Sequence, residues 1–350
     1  MSTIFKLDNL RVKGMEDLPK PKHIKSSLPL PIHTEVHVID SRQIIANILN
    51  GHDKRFIVIT GPCSIHDTKA ALEYAHELVK IQQLYKDKIF IVMRLYFEKP
   101  RTQVGWKGFI NDPHLDGSYR IYEGLFRARE LLLQVNKLGL PVATEWLDTI
   151  TPQYIADLVS LGMIGARTTE SQVHRQLVSG MSMPVGFKNT MSGSIQVACD
   201  AIKVAEHEQS FLGTNDAGDI TLVHTRGNPD TFVVLRGSNN GTNYDEISVA
   251  HTIGLQNKNN IRPAVIIDCS HGNSQKNHHN QEKVVRDITN QLVDGNHHIK
   301  GLMLESNINE GNQKLGDGRN LRYGVSITDA CINLDKTREL IEYIYQRIRS

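Results

Sequence analysis

The sequence predicts a (β/α)8 TIM barrel with an N-terminal extension and an extra β-hairpin inserted before strand 6. Eight short apolar runs alternate with amphipathic segments, and a polar residue follows each run. The chain has 350 residues, of which 39% are hydrophobic, enough for a core of that size. Continuous apolar runs between helices are typical of a parallel sheet covered on both faces, and eight such units favour a closed barrel.

Residues 1–40 are predicted to form a separate regulatory or oligomerisation arm. Four prolines interrupt any helical or strand period there, namely Pro19, Pro21, Pro29 and Pro31. We expect this arm to lie on another surface, such as that of a partner subunit. A short helix is predicted at residues 41–49, ending at Asn50-Gly51. The catalytic barrel domain is then expected to span residues 41–350.

The apolar runs are the predicted barrel strands, and they are rich in β-branched residues. They lie at residues 56–59, 89–93, 140–143, 163–166, 184–187, 232–235, 264–267 and 301–304. Helices are predicted near residues 68–86, 121–138, 152–160, 171–179, 194–206, 245–257, 280–294 and 335–348. The inserted hairpin is predicted from the runs 211–213 and 220–223.

Charge and composition exclude several classes of protein. The formal net charge of +2 predicts no broad polyanion-binding surface, so no nucleic-acid partner is expected. No apolar run approaches the roughly 20 residues of a membrane helix, and the first residues do not resemble a signal peptide. Widely spaced cysteines predict reduced thiols and a cytoplasmic protein. They are Cys63, Cys199, Cys269 and Cys331.

A chemically active residue closes each of the eight apolar runs. In order these are Cys63, Arg94, Glu145, Arg167, Lys188, Arg236, the stretch 268–271 and Glu305. Barrel enzymes carry their chemistry at the C-terminal ends of the strands, so we expect these residues to meet at one opening. Any one of them alone is explained more simply as the point where the chain reaches water. Eight such residues in succession favour a shared functional site.

Basic residues dominate this predicted ring. They are Arg94, Lys99, Arg101, Arg167, Lys188 and Arg236. So many cations in one cavity repel each other unless anions are bound, and guanidinium groups match phosphate and carboxylate oxygens. The ring therefore predicts substrates with several negative charges. The alternative is a set of arginine–carboxylate pairs, of which Glu145 could supply only one.

A second group could bind a metal ion. It contains Cys63, His271, Glu305 and, from the loop 323–329, Asp329. A thiolate, an imidazole and two carboxylates suit one divalent Mn, Fe, Co or Zn ion with an open position, whereas structural zinc prefers closed cysteine and histidine sets. A nucleophile–base pair of Cys63 and His271 is the alternative. Four other histidines are expected to be solvated loop residues, namely His278, His279, His297 and His298.

Six stretches together closely resemble one enzyme family. They lie at residues 61–67, 97–108, 165–172, 184–189, 268–273 and 326–331. In this order they resemble the class I, metal-dependent 3-deoxy-D-arabino-heptulosonate 7-phosphate (DAHP) synthases, over nearly the whole chain. One stretch departs from the family pattern: Thr190-Met191-Ser192-Gly193 stands where Gly-Thr-Asp-Gly is usual. We expect this departure to change the backbone just beyond Lys188.

The resemblance implies condensation of phosphoenolpyruvate with erythrose 4-phosphate and water, which releases phosphate and opens the shikimate pathway. It implies metal ligation by Cys63, His271, Glu305 and Asp329, and catalytic roles for Lys99, between the substrates, and for Glu145, next to the attacking water. Phosphoenolpyruvate contacts are implied for Arg94, Arg167, Lys188 and Arg236 and for the backbone of Gly165 and Ala166. Contacts to the aldose phosphate are implied for Arg101 and Thr102.

The resemblance also implies regulation and assembly. Feedback inhibition by an aromatic amino acid is expected, with tyrosine favoured over phenylalanine, in a homodimer or homotetramer. The residues matching the allosteric region are Asp8, Asn9, Pro152, Gln153 and Ser182. Pro152 also suits the first turn of a helix, and the two interpretations are compatible.

The sequence is less consistent with three other functions. Lys188 permits a Schiff-base aldolase, although an enol phosphate already supplies the carbon nucleophile. A 3-deoxy-D-manno-octulosonate 8-phosphate synthase keeps the fold and changes the sugar, but residues 99–102 and the long arm disfavour it. A non-enzymatic barrel that only senses amino acids would lack ligands or arginines, and none is missing.

Overall fold

The apolar runs form the strands of a closed parallel barrel in the computed structural model, which describes residues 7–348. In chain order the strands are β1 (Phe56–Gly61), β2 (Ile89–Arg94), β3 (Val142–Glu145), β4 (Leu161–Ile164), β5 (Val185–Lys188), β6 (Ser210–Thr214), β7 (Ile220–His224), β8 (Thr231–Leu235), β9 (Val265–Asp268), β10 (Ile299–Asn307) and β11 (Ile332–Asn333). Neighbours pair in order, and β10 pairs back with β1 through Val58 and Leu302, which closes the barrel. Strands β6 and β7 form the predicted separate hairpin.

Ten α-helices accompany the strands within residues 7–348. They are α1 (Pro21–Ser27), α2 (Ile32–Asn50), α3 (Thr68–Tyr85), α4 (Ile121–Lys137), α5 (Pro152–Ile155), α6 (Gln172–Ser179), α7 (Gln196–Ala205), α8 (Glu246–Lys258), α9 (Asn280–Val293) and α10 (Leu334–Arg347). Side chains cap several of them: Asp67, Asp245 and Asn333 accept backbone N–H groups from the first turns of α3, α8 and α10. None of these helices, all within residues 7–348, has the length and hydropathy needed to cross a bilayer.

Alternate residues of each barrel strand face opposite sides. Ile57 and Ile59 belong to a cluster inside the barrel, whereas Val58 belongs to the layer between strands and helices. Both sides are apolar, which explains why the runs in the sequence are continuous. Three residues of α2 join the inner cluster, namely Ile45, Ile48 and Leu49, so α2 packs against the barrel interior.

The N-terminal segment differs from the prediction. We expected no regular structure before residue 41, but α1 and most of α2 lie there, and the division predicted at residue 40 falls inside α2. Pro21 occupies the first turn of α1, and Pro31 directly precedes α2. These prolines start helices instead of preventing them, because a helix's first residues need no N–H partner. The fourth strand was also misplaced slightly, since β4 ends at Ile164.

Part of the predicted arm lies on the chain's own barrel. Ile24 is fully buried, and Lys25 forms a 2.6 Å ion pair with Asp216 beside the hairpin. The hydroxyl of Tyr154 donates to the carbonyl of Pro19. Residues 7–18 are different, because their apolar side chains, such as that of Leu7, are largely exposed. A contact between residues 7–18 and a partner subunit therefore stays a prediction.

Candidate active site

The alternation of the strands positions the predicted site residues. In β2 the inward series Phe90 and Val92 continues to Arg94, and in β8 Phe232 and Val234 continue to Arg236. The same two-residue step leads to Glu145, Lys188, Asp268 and Glu305. Each residue follows an inward position by two, so its side chain enters the barrel opening at the C-terminal end of its strand.

One cavity of about 430 Å³ collects these side chains. It is lined by Lys99, Arg101, Glu145, Gly165, Ala166, Arg167, Lys188, Arg236, His271, Glu305 and Asp329, among others. Of the predicted catalytic, substrate-binding and metal-ligating residues, three do not line it. Arg94 and Cys63 are fully buried beneath it, and Thr102 lies beside Arg167, whose Nε donates to its hydroxyl at 3.3 Å. The predicted convergence on a single opening is present.

The four predicted metal ligands lie together. Ligand atoms of Cys63, Glu305 and Asp329 are within 4.8 Å of one another. Nε2 of His271 is 3.6 Å from Oε1 of Glu305 and 3.8 Å from Oδ2 of Asp329. His271 has φ of +55°, an uncommon backbone conformation for a residue with a side chain. The set can surround one cation.

The thiol of Cys63 fits a metal ligand better than a free nucleophile. Burial and the nearby Glu305 carboxylate raise the pKa of Cys63 to about 11. A thiolate is the reactive and ligating form, and a bound cation stabilises it. Without a cation the thiol stays protonated at neutral pH, so the alternative of a Cys63–His271 nucleophile–base pair is disfavoured.

Asp268 contacts both a cation of the cavity, Lys188, and a predicted metal ligand, His271. Its Oδ2 accepts from Nζ of Lys188 at 2.9 Å and lies 2.9 Å from Nδ1 of His271. Burial alone would raise the pKa of Asp268, but the charges of His271 and Lys188 hold it well below its ordinary value. A carboxylate behind a histidine fixes the orientation of the ring, which leaves Nε2 directed at the ligand cluster.

Arg94 likewise contacts predicted metal ligands, namely Glu305 and Cys63. Its guanidinium donates to Oε1 of Glu305 at 2.9 Å and to the carbonyl of Cys63 at 3.0 Å, and it stacks over the ring of Tyr96. Lys99 donates to the same carbonyl at 3.1 Å and approaches Sγ of Cys63 at 3.3 Å. Burial lowers the pKa of Lys99, but the neighbouring Cys63, Glu305 and Glu145 outweigh burial and raise it. Lys99 is therefore a charged donor.

The remaining cations of the cavity have no carboxylate partner. Within residues 7–348, no ion pair joins Arg101, Arg167 or Arg236 to an acidic side chain. Burial lowers the pKa of Arg236, and repulsion by Arg167 contributes to the lowering. Such unpaired guanidinium groups favour anionic ligands. The alternative of cation–carboxylate pairs applies to only part of the ring, because Asp268 pairs with Lys188 and Glu305 pairs with Arg94.

Glu145 has an oxygen that the protein does not satisfy. Oε1 is buried and has no hydrogen-bond partner among the described residues. Gly165 faces it so closely that a Cβ there would lie 2.4 Å from Oε1. A buried carboxylate oxygen without a donor is costly, so a ligand or water that donates a hydrogen bond to it would bind favourably.

The sequence missed several residues of the cavity. Met191 lines it, from the stretch that departs from the family pattern, where the Thr190 hydroxyl accepts from the backbone N–H of Ser194. His278 was predicted to be a solvated loop residue but lines the cavity, and its Nε2 is buried. Asp268 was part of the predicted stretch 268–271, and it continues the inward series of Ala264 and Ile266, but its contacts with Lys188 and His271 were not predicted. Met191 and His278 carried none, because they lie on irregular loops.

The predicted allosteric residues divide into two groups. Pro152, Gln153 and Ser182 line one cavity of about 230 Å³, together with Phe211 and other residues of the hairpin. Pro152 also begins α5, so both interpretations of this proline are compatible. Asp8 and Asn9 are exposed and do not line this cavity.

Comparisons with known proteins agree with this geometry. A family model described as the DAHP synthetase I family matches residues 40–342. The chain is 47% identical, over 97% of its length and 96% of the relative, to the Tyr-sensitive phospho-2-dehydro-3-deoxyheptonate aldolase of Escherichia coli (strain K12). It is 46% identical to the phenylalanine-inhibited enzyme of that name from Saccharomyces cerevisiae, over 99% of this chain and 95% of the relative.

Two further similarities extend this result. The Trp-sensitive phospho-2-dehydro-3-deoxyheptonate aldolase of Shigella flexneri is 48% identical, over 96% of both chains. The solved structure of phospho-2-dehydro-3-deoxyheptonate aldolase from Francisella tularensis SCHU S4 superposes with a TM-score of 0.94 at 46% identity. It covers 96% of this chain and 98% of the other.

Proposed function

The chain belongs to the DAHP synthetase I family, and from that premise we propose that it condenses phosphoenolpyruvate with erythrose 4-phosphate and water. The products are DAHP and inorganic phosphate, and the reaction is the first step of the shikimate pathway to the aromatic amino acids. The observation that supports this proposal most directly is a single cavity in which unpaired arginines lie beside a cluster of thiol, imidazole and carboxylate groups. The unpaired arginines match the negative charges of two phosphorylated substrates, and the cluster of thiol, imidazole and carboxylate groups matches one cation.

Phosphoenolpyruvate is assigned to the inner cations. Arg167, Lys188 and Arg236 line the cavity, as do Gly165 and Ala166, whose backbone can contact the substrate closely. Arg94 is assigned as a further contact, and its burial under Glu305 and Cys63 places its charge at the floor of the same region. Preorganised positive charge stabilises the phosphate and carboxylate as the reaction proceeds.

Erythrose 4-phosphate is assigned to the outer part of the cavity. Arg101 lines it and is exposed, and Thr102 is held by the hydrogen bond from Arg167. Lys99 lies between this region and the metal ligands, through its contacts with Cys63. The arrangement supports a role for Lys99 in orienting both substrates, since positioning supplies much of the rate in a condensation of two bound molecules.

A divalent metal ion is assigned to Cys63, His271, Glu305 and Asp329. The donor set fits a transition metal such as Mn, Fe, Co or Zn, because it mixes a soft thiolate with an imidazole and hard carboxylates. Such an ion, when bound, supplies Lewis-acid polarisation of a carbonyl oxygen. The protein's own contribution is to hold the ligands: Asp268 orients His271, and Arg94 orients Glu305.

Glu145 is assigned to the water that attacks the enol carbon. Its unsatisfied Oε1 can accept a hydrogen bond from that water and thereby orient it or take its proton. Gly165 leaves the space that this oxygen occupies. Both residues therefore act at the same point of the cavity.

The rival chemistries are less well supported. Nζ of Lys188 is held by Asp268 at 2.9 Å, and an imine with a carbonyl substrate would break this ion pair. A barrel that only senses amino acids would not require the unpaired arginines of the cavity. The octulosonate synthase alternative differs only in the aldose, and a direct comparison of aldoses separates the two.

The decisive experiment measures phosphate release from phosphoenolpyruvate with each aldose. The chelated full-length protein is assayed before and after addition of Mn²⁺, Fe²⁺, Co²⁺ or Zn²⁺. We expect release with erythrose 4-phosphate, loss of activity on chelation and recovery on addition of metal. Full activity in metal-free protein, or a preference for arabinose 5-phosphate, would contradict the proposal.

Feedback regulation is assigned to the cavity beside the hairpin. Its lining of Pro152, Gln153, Ser182 and Phe211 combines apolar surface with polar groups, which suits an aromatic amino acid. The similar enzymes are named for sensitivity to tyrosine, phenylalanine or tryptophan. We assign tyrosine as the first effector to test, with phenylalanine second, and Asp8 and Asn9 as contacts supplied from a neighbouring subunit.

A cytoplasmic homodimer or homotetramer completes the proposal. The four cysteines, all within the described residues, are buried and form no disulfide, as is usual for a reducing compartment. Exposed apolar side chains on residues 7–18, such as those of Leu7 and Met15, favour a subunit contact. Analytical ultracentrifugation of the full chain distinguishes monomer, dimer and tetramer.

A further inference from the structure

A second cluster of ligating side chains lies next to the candidate active site. It consists of His278, His279 and Glu310, and one ligand-type atom of each lies within 4.8 Å of the others. In the part of the chain from residue 7 to residue 348, only one other group meets the same condition, namely that of Cys63, Glu305 and Asp329. The two clusters have no residue in common.

The cluster joins the two loops that carry the catalytic ligands. His278 and His279 lie between β9 and α9, in the segment that also contains His271. Glu310 follows β10, the strand that carries Glu305. His278 lines the active-site cavity, whereas His279 and Glu310 line a neighbouring cavity of about 310 Å³. The cluster is therefore part of the wall between the two cavities.

These three side chains have no other polar partner in the described structure. Between residues 7 and 348, none of them donates or accepts a side-chain hydrogen bond or forms an ion pair, and Nε2 of His278 is buried without a partner. His279 is the N-cap residue of α9, but its ring does not cap the helix. The imidazoles of His278 and His279 stack with their centroids 4.0 Å apart. A buried ring nitrogen without a partner is costly unless a ligand satisfies it.

The surrounding charge favours a cation. The neighbouring cavity is lined by the carboxylates of Glu282, Glu310, Asp335 and Glu339. Lys336 is the one lysine among its lining residues, which include no arginine, and it pairs with Glu282 and Glu339. Glu310 thus adds an unpaired negative charge beside two imidazoles.

We propose that His278, His279 and Glu310 form a second binding site for a divalent transition-metal ion such as Zn²⁺ or Co²⁺. Two imidazoles and one carboxylate are a ligand set that zinc takes in proteins while it keeps a position open for water. Imidazole selects such ions over Mg²⁺ and Ca²⁺, which prefer oxygen ligands. An ion there ties the loop after β9 to the loop after β10 and adds positive charge at the rim of the anion-binding cavity.

The test counts bound ions and separates the two clusters by their spectra. Metal-stripped full-length protein is saturated with Co²⁺, freed of excess ion, and measured for total cobalt and for the sulfur-to-cobalt charge-transfer absorption. Only a site that contains Cys63 gives that absorption. We expect the wild type to retain two ions per chain with the charge-transfer intensity of one thiolate site. The variants His279→Ala and Glu310→Gln should each lose one ion and keep the full charge-transfer intensity.

A matched control is available in the exposed pair His297 and His298, which belongs to no ligand cluster within the described residues. His297→Ala should retain both ions. One ion per chain in the wild type, or unchanged cobalt content in both cluster variants, would overturn the proposal. Failure of the proposed catalytic site has a different signature, because the charge-transfer absorption itself would then be missing from the wild type.

Discussion

Two buried carboxylates determine how the cations of the cavity are held. Asp268 binds Lys188 and lies beside His271, and Glu305 binds Arg94 and belongs to the metal-ligand cluster. Each carboxylate therefore fixes one cation that is assigned to substrate binding and one side of the proposed metal site. Removing either one would leave a buried cation unpaired, which is strongly destabilising. The proposed phosphoenolpyruvate region and the proposed metal site are therefore connected through these two carboxylates.

Gly165 offers the sharpest single-residue test of the role of Glu145. A Cβ at this position would lie 2.4 Å from Oε1 of Glu145, so Gly165→Ala must displace the carboxylate. We expect kcat to fall by about 100-fold, because a small displacement of a catalytic group can reduce the rate by that factor. Steady-state kinetics and circular dichroism measure activity and folding together.

The control for this variant is Gly254→Ala, in the exposed part of α8, where no atom lies within 4 Å of the added Cβ. We expect it to leave kcat unchanged and to raise the free energy of unfolding by about 0.5–1 kcal/mol, because alanine favours a helix over glycine. A kcat for Gly165→Ala equal to that of the wild type would remove the support for Glu145 as the group that orients water.

Glu98 predicts a pH dependence of stability. Burial and the neighbouring Asp148 raise its pKa to about 8, with a smaller contribution from Glu145, and its Oε1 accepts from Thr151. Because the unfolded chain has a glutamate pKa of about 4.3, the native state binds more protons between these two values. The free energy of unfolding should therefore fall as pH rises from about 4.3 to about 8, by a few kcal/mol.

The measurement is urea unfolding of the wild type and of Glu98→Gln at several pH values across that interval. The glutamine variant cannot ionise, so the two proteins should have similar stability at low pH, and the variant should be the more stable above pH of about 8. The same pH slope in both proteins would show that Glu98 is already ionised in the native state.

At the scale of the elements, regular strands explain why most of the site was predictable. The two-residue period of β2, β5, β8 and β10 delivers Arg94, Lys188, Arg236 and Glu305 to the opening, and this period is visible in the sequence. Irregular loops have no such period, so the places of Met191 and His278 in the cavity could not be predicted. The helix that begins at Ile32 was also missed, because the neighbouring prolines were interpreted as breaks instead of starts.

The hairpin gives a test of the regulatory cavity at the same scale. One face of β6 and β7 lines the cavity through Phe211 and Val223, and Leu212 points to the opposite, exposed face. Ser182→Leu places extra carbon atoms in a cavity of about 230 Å³ and should exclude the effector. We expect the concentration for half-inhibition to rise at least about tenfold, within the usual range of allosteric coupling, at an unchanged kcat.

The matched control is Leu212→Ser, which changes the hairpin on its other side and should retain inhibition. Rates are measured with tyrosine, phenylalanine and tryptophan in turn, so the experiment also identifies the effector. If each of these amino acids inhibits Ser182→Leu to the same extent as it inhibits the wild type, the effector binds outside this cavity.

At the scale of the whole molecule, the closed barrel brings distant segments together. The proposed metal ligands come from the segments after β1 and β9, from β10 and from the loop before β11, positions 63 to 329 of the chain, and only closure of β10 on β1 makes them neighbours. The sequence alone predicted this closure by counting eight units. It could not specify what contacts residues 7–18, because exposed apolar side chains do not determine what covers them.

The most direct test is a crystal structure of the protein with Mn²⁺ and phosphoenolpyruvate, with anomalous scattering used to locate the metal. We expect an ion bonded to Cys63, His271, Glu305 and Asp329, with the substrate phosphate and carboxylate against Arg167, Lys188 and Arg236. An ion bound away from Cys63, or a substrate that leaves those three cations free, would contradict the proposed catalytic site.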